Sequence, residues 1–264
     1  MPKHNKPLGG HNRMQAWKRK AAVTAAILAI SFLVAALARP VWYAQAPKER
    51  MTVMIVMDVS GSMNEKDIQP SRIEAAQQAA RYFIASLPGS INVSLITFAN
   101  TAKMLVPPTT DKEQILKAID HLKAIGSTST AEGIQTALKA VDLIPDDPEH
   151  PGDPGQSVIV LLADGESNNS RRTYEAAETA KQMQIPIFAI AYGPERGYEE
   201  LLKIATISGG QAYSADTLEK LNEVYADIAK LTVYERRKKE LAGLFVCIGI
   251  FFGIMAAVAF IKRK

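Results

Sequence analysis

Residues 52–63 hold the stretch that most constrains this chain. Thr52-Val53-Met54-Ile55-Val56-Met57 runs without a charge straight into Asp58-Val59-Ser60-Gly61-Ser62-Met63. An apolar run with no polar alternation has no solvent face, so it belongs to a strand covered on both sides. Such strands form parallel sheets sheathed by helices, and those sheets gather ligand-binding side chains at the carboxyl ends of their strands. Here the strand ends in one carboxylate and two hydroxyls, Asp58, Ser60 and Ser62. An all-oxygen set suits a hard divalent ion such as Mg²⁺ better than Zn²⁺ or copper.

The rest of the middle region repeats the pattern. Apolar runs at 52–57, 91–98, 158–163 and 186–191, with weaker ones at 102–106 and 210–213, alternate with helical periodicity near 71–86, 111–124, 131–143, 172–183, 198–207 and 216–231. This is the signature of a doubly wound, mostly parallel α/β sheet. Asp111 and Asp216 stand where helix N-caps are expected. Residues 145–156 (PDDPEHPGDPGQ), with four Pro and two Gly, read as an exposed acidic loop. Its carboxylates Asp146, Asp147, Glu149 and Asp153 follow no calcium-loop order.

Two uncharged runs flank this region, residues 21–38 (AAVTAAILAISFLVAALA) and residues 241–261 (LAGLFVCIGIFFGIMAAVAFI). Each is long enough to cross a bilayer. Trp17, Trp42 and Tyr43 bracket the first as interfacial anchors do. Ala36-Leu37-Ala38 has the small-x-small form of a signal-peptidase site, but Arg39-Pro40 follows at once and a second span follows later, so the first run is read as an uncleaved anchor. Gly249 and Gly253 form a G-x-x-x-G that permits close helix approach.

Charge sorts along the chain. Residues 51–235 hold 15 Lys/Arg against 25 Asp/Glu, whereas the flanks hold 16 basic residues against two acidic ones. The basic charge lies beside apolar runs, which marks it as membrane-flanking and argues against nucleic acid. Lys3, Lys6, Arg13, Lys18, Arg19 and Lys20 precede the first run, which predicts a cytoplasmic N-terminus (1–20), a first span over 21–39, a central domain over 51–232 outside the cytoplasm, a second span over 241–261 and a cytoplasmic tail, Lys262-Arg263-Lys264. One cluster dissents: Arg236, Arg237, Lys238 and Lys239 sit on the domain side of the second span. The segments 39–50 and 232–240 read as short tethers, so that the last helix runs nearly directly into the second span. The single cysteine, Cys247, lies in an apolar run and excludes an internal disulfide. His4, His11, His121 and His150 are too scattered for a metal site.

Two further segments carry oxygen ligands. Gly126-Ser127-Thr128-Ser129-Thr130 is a hydroxyl-rich loop before a helix, and Leu161-Leu162-Ala163-Asp164-Gly165 is a second apolar strand ending in a carboxylate. Turns after neighbouring strands converge at the switch point of a doubly wound sheet, so Asp58, Ser60, Ser62, Thr128 and Asp164 are candidates for one ion. Each piece alone has a plain explanation as a turn or a helix cap. Together, in this order and each beside its expected strand or helix, they resemble the von Willebrand factor type A (VWA) family over residues 51–232. Asp58-x-Ser60-x-Ser62, Thr128 of Gly126-x-Thr128-x-Thr130, and Asp164-Gly165 match all five side chains of that family's metal-ion-dependent adhesion site (MIDAS).

The resemblance implies a bound Mg²⁺ (or Mn²⁺), with Ser60, Ser62 and Thr128 as direct ligands and Asp58 and Asp164 acting directly or through water. It further implies a protein partner that supplies an Asp or Glu carboxylate to the ion. The order of span, VWA domain and span, with Ala36-Leu37-Ala38-Arg39-Pro40, Pro70-Ser71-Arg72 and Gly209-Gly210-Gln211-Ala212-Tyr213, is similar to bacterial aerotolerance-type (Bat) membrane proteins. Many of those carry two spans before the domain, where this chain has one. That likeness implies an inner-membrane complex with other VWA membrane proteins and a MoxR-type AAA+ ATPase. The competing readings are a metal-dependent hydrolase and a structural membrane scaffold. The hydrolase lacks a recognisable general base, Glu166 being the nearest candidate, so the chain is expected not to be an enzyme.

Overall fold

The computed structural model describes residues 9–48, 50–146, 155–165, 167–193 and 197–261. Helix α1 (Gly9–Leu37) and strand β1 (Val41–Pro47) come first. Then follow β2 (Met51–Asp58), α2 (Arg72–Ser86), β3 (Asn92–Phe98), β4 (Ala102–Thr109), α3 (Lys112–Asp120), α4 (Thr130–Ala140), β5 (Gln156–Ala163), α5 (Ser170–Gln182), β6 (Ile187–Tyr192), α6 (Tyr198–Ser208), β7 (Ala212–Ala215) and α7 (Leu218–Thr232). Strand β8 (Tyr234–Glu240) and helix α8 (Ala242–Ile261) end the described chain. Two compact units result: residues 47–235, and residues 1–46 together with 236–264.

The larger unit is built on a six-stranded sheet in the order β4-β3-β2-β5-β6-β7. Every neighbouring pair is parallel except β3 with β4. The unbroken apolar runs explain this arrangement. Along β2, Val53, Ile55 and Met57 enter a layer with Ile73, Phe83, Leu221 and Tyr225 from α2 and α7. Met54 and Val56 enter the opposite layer with Ile134, Ala177 and Ile204 from α4, α5 and α6. All eight β2 residues are buried, Asp58 among them. From β2 the chain goes to β3 on one side, and it later returns as β5 on the other, so the topological switch lies between the carboxyl ends of β2 and β5.

Local chemistry sets the helix ends. Asp111 caps α3 as expected, accepting from the amides of Glu113 and Gln114. The cap of α7 is Thr217 rather than Asp216, because the Thr217 hydroxyl lies 3.2 Å from the Lys220 amide that it accepts from. Ser71 caps α2, and its hydroxyl also meets the Glu74 carboxylate at 2.9 Å, a reciprocal first-turn arrangement. Gly209 ends α6 in the left-handed region at φ 82°. Gly210 then passes so close to β6 that a Cβ there would stand 2.0 Å from the Ile187 carbonyl oxygen.

The smaller unit departs from the sequence expectation. Segments read as tethers pair as a two-stranded sheet, β1 with β8, and this strand intervenes between α7 and α8. Each segment is short and extended, and each supplies hydrogen-bond partners that the other lacks. Helices α1 and α8 pack along one another: Phe32 lies 5.8 Å from Phe245 and 5.9 Å from Phe252, centroid to centroid. Gly249 supplies the close approach, since a Cβ there would meet Leu33 at 3.0 Å and the Ala29 carbonyl at 3.3 Å, whereas Gly253 faces open space. Among the described residues one helix, over Arg19–Leu37, is long and apolar enough to cross a membrane, and α8 contains a shorter apolar stretch, Ala242–Val258. Asp147, Glu149 and Asp153 of the acidic loop, Glu166, His4, His150 and the tail 262–264 lie outside the described residues.

Candidate metal centre

Asp58 is the last residue of β2, and Asp164 directly follows β5, the strand paired beside it. The parallel register therefore places two carboxylates at one sheet edge although 106 residues separate them in sequence. After Asp58 the chain turns back on itself: the Ser60 amide donates to Asp58 Oδ1 at 2.7 Å. This turn brings Ser60 Oγ to within 3.0 Å of Ser62 Oγ. Ser62 Oγ in turn donates to Asp164 Oδ1 at 3.0 Å. Four of the five sequence-predicted residues thus form one hydrogen-bonded chain, Asp58, Ser60, Ser62, Asp164.

The loop that carries Thr128 is stitched to the turn after Asp58. The Ile125 amide donates to the Val59 carbonyl at 2.7 Å, and the Gly61 amide to the Gly126 carbonyl at 2.8 Å. Gly126 needs its left-handed φ of 94° to make that turn, and a Cβ there would collide with Asn100 at 2.8 Å. On the outer side, the Asn100 amide oxygen accepts from the Ser127 amide and hydroxyl at 2.6 and 2.7 Å. Asn168 Nδ2 donates to Ser127 Oγ at 3.1 Å, and the Asn168 amide donates to the Thr128 carbonyl at 3.2 Å. The loop is held by neighbours on both sides.

Arg72, which the sequence offered only as part of a short motif, is the charge that organises this edge. It is buried, and Nη1 donates to Asp164 Oδ2 at 2.8 Å. Its remaining nitrogens reach Asp67 at 2.9 and 2.6 Å and Glu65 at 2.6 Å. The guanidinium fork suits this shared binding of three carboxylates, which a lysine cannot reproduce. Its bonds to Asp67 hold the Asp67 carboxyl below the usual range. Nothing in the sequence separates Arg72 from an ordinary helix-surface cation; only the fold reveals its burial. Asn100 and Asn168 escaped notice for a similar reason, being polar loop residues in a chain rich in them.

Asp58 is in the opposite situation. Burial pushes its carboxyl up to about 7, the Ser60 hydroxyl and amide pull it back, and the Asp164 charge adds a smaller upward push. Its Oδ2 is buried and has no hydrogen-bond partner among the described residues. A buried carboxylate oxygen left unpaired is costly, and a cation is the partner that would remove the cost. The donor set here, two carboxylates and hydroxyls with no sulfur or imidazole, fits a hard divalent cation. With Arg72 on the far oxygen of Asp164, part of the local negative charge is already cancelled.

Comparison with known proteins identifies the fold that carries this centre. The model of the von Willebrand factor type A domain matches residues 53–166. A UPF0353 protein of Mycobacterium sp. (strain KMS) is 35% identical over 268 residues, covering 94% of this chain and 80% of the relative. A UPF0353 protein of Nocardia farcinica is 32% identical over 277 residues, covering 93% and 83%. Among solved structures, BatB from Bacteroides thetaiotaomicron superposes with a TM-score of 0.57 at 22% identity, covering 68% of this chain and 99% of that one. An aerotolerance-related membrane protein from Bacteroides fragilis gives 0.59 at 20% identity, covering 68% and 97%. Proximal thread matrix protein 1 of the mussel byssus, solved with a zinc-occupied MIDAS motif, gives 0.58 at 20% identity, covering 75% and 50%. At these identities the structural likeness establishes the fold, a VWA-type α/β domain with a mostly parallel sheet.

Proposed function

The chain belongs to the UPF0353 family, and from that premise we propose that it is a membrane-anchored binding protein whose VWA domain captures another protein in a Mg²⁺-dependent way. The observation that carries this reading is the joined set Asp58, Ser60, Ser62 and Asp164 at the switch point, with Thr128 on an adjoining stitched loop and Asp58 Oδ2 unpaired. Bound there, Mg²⁺ or Mn²⁺ would supply an electrophilic position open to a carboxylate oxygen from an Asp or Glu of the partner. Ser60, Ser62 and Thr128 would hold the ion as neutral ligands. Asp58 and Asp164 balance its charge and fix the hydroxyls. Arg72 fixes Asp164.

Such a set binds and orients. The centre is read as a binding site, not a catalytic one, since its identified side chains include no imidazole or amine to act as general base. The anchoring part of the proposal rests on α1 and α8. Both expose large apolar side chains along their length, among them Ile27, Ile30 and Val34 on α1 and Leu244, Phe251 and Ile254 on α8. Trp17 and Leu37 lie about 30 Å apart along α1, the thickness of a bilayer core. We therefore place the protein in the inner or plasma membrane with two crossings and the VWA domain outside the cytoplasm. On the resemblance of the sequence to aerotolerance-type membrane proteins, we also propose a complex with other VWA membrane proteins and a MoxR-type AAA+ ATPase.

The test is a crosslinked pull-down from membranes with Mg²⁺ or with chelator, comparing wild type with Asp58→Ala. Capture is expected only for wild type with Mg²⁺. Equal capture by the variant, or in excess chelator, rejects the metal-dependent mode.

A further inference from the structure

The cluster Arg236-Arg237-Lys238-Lys239 has no part in the centre above, and it stands on the side of α8 where the charge rule disfavours cations. We propose that the β1–β8 ribbon which carries it is a binding site for anionic phospholipid headgroups. The inference rests on the membrane-anchored reading and deepens it by naming the lipid.

Position comes first. Only residues 38–40 separate α1 from β1, and only Leu241 separates β8 from α8. The Leu241 amide donates to the Pro40 carbonyl at 2.9 Å, which ties the two junctions together. The ribbon therefore begins where both apolar helices end, at the level where a bilayer gives way to headgroups.

Side chains come second. β1 exposes Val41, Trp42 and Tyr43, with Trp42 64% accessible. Aromatic rings with a polar tip favour this interfacial level. β8 exposes Lys238 and Lys239. Side chains alternate along a strand, so these two lysines leave opposite faces. Neither face is then apolar enough to sink into hydrocarbon or into a protein core, whereas both can meet phosphate. An isolated two-stranded sheet is marginal in water, so an exposed aromatic and cationic ribbon needs a surface to lie in. A headgroup layer of negative diesters supplies that surface. The pairing of β1 with β8 fixes the spacing of the lysines in advance, which lowers the ordering cost of binding.

The experiment uses the full chain in vesicles and one tryptophan. The chain has two, so Trp17→Phe leaves Trp42 as the only reporter. Energy transfer is measured from Trp42 to dansyl-labelled phosphatidylglycerol and, separately, to dansyl-labelled phosphatidylcholine. Transfer to the anionic lipid is expected to exceed transfer to the zwitterionic one. The excess should fall by up to about five-fold for each lysine neutralised in Lys238→Gln and Lys239→Gln. Circular dichroism and Mn²⁺ affinity monitor folding of the variants. Equal transfer to both lipids, or a preference that survives both substitutions in a folded chain, overturns the inference while the chain still floats with vesicles. A chain that fails to float with vesicles once detergent is removed overturns the membrane reading beneath it.

Discussion

At the centre, two buried charges are handled in opposite ways. Arg72 is satisfied by three carboxylates, while Asp58 keeps one oxygen without a partner among the described residues. The penalty at Asp58 has a definite pH signature in the absence of divalent ions. Unfolded, the carboxyl ionises near 3.8; folded, burial holds its proton until about 7. The folded state therefore binds the extra proton between these values, so this group's contribution to stability declines as pH rises from about 4 to about 7 and stays low above that. Asp58→Asn removes the ionisation. In chelator at pH 8 the variant should melt higher than wild type by roughly 5 °C, lose this advantage near pH 4, and gain nothing from Mg²⁺. A variant that melts lower than wild type at pH 8 in chelator contradicts the assignment. Arg72→Gln acts the other way. It strands Asp164 as a buried charge and should cost about 3 kcal/mol in urea unfolding. Pairing it with Asp164→Asn should recover on the order of 2 kcal/mol, and simple additivity of the two would mean that the pair is not coupled.

Among elements, what the sequence disclosed depended on whether burial leaves a local pattern. Strands β2, β5 and β6 are covered on both faces, so their apolar runs announce them, and Asp58 and Asp164 follow at their ends. The five candidates stood out in the sequence because each lies shortly after such a run or just before a helix. Strand β8 was not legible: Tyr-Glu-Arg-Arg-Lys-Lys-Glu has no apolar face, and its partner β1 lies almost 200 residues away. Arg72 was hidden for a related reason, since its three carboxylates come from two separate segments. Gly209 and Gly210 lie between these cases, visible in the sequence as part of a short motif but not as a contact. Their roles predict different costs. Gly209→Ala meets only the left-handed backbone penalty, about 1 kcal/mol. Gly210→Ala drives a methyl into the Ile187 carbonyl, so α6 and β7 must move and the Ala189–Ala212 to Tyr192–Ala215 pairing is disturbed. Denaturant unfolding should show about 3 kcal/mol for the second change. Equal costs at the two positions would remove close backbone approach as the reason for Gly210.

Over the whole molecule, charge is sorted more sharply than the fold of either unit requires. The VWA region is acidic and the flanks are strongly basic, with six of the Lys/Arg residues placed before the first apolar run. The proposed membrane topology gives such sorting a use, because cations before a span hold that end in the cytoplasm. The opposing cluster at 236–239 weakens the rule at the second span, so the topology calls for a direct measurement. The chain offers a simple one, since Cys247 is its only cysteine and Cys247→Ala leaves none. In that background, single cysteines at Lys6, Glu178 and Lys264 report the N-terminus, the VWA domain and the C-terminus. A membrane-impermeant maleimide applied to intact spheroplasts should label the Glu178→Cys protein, whereas Lys6→Cys and Lys264→Cys should react only after lysis. The reverse pattern turns the protein over and places the metal centre in the cytoplasm, on the side of an ATPase. Labelling of positions 6 and 264 from opposite sides leaves one crossing in place of two, and α8 would then have to lie on the membrane or fold against α1 outside it.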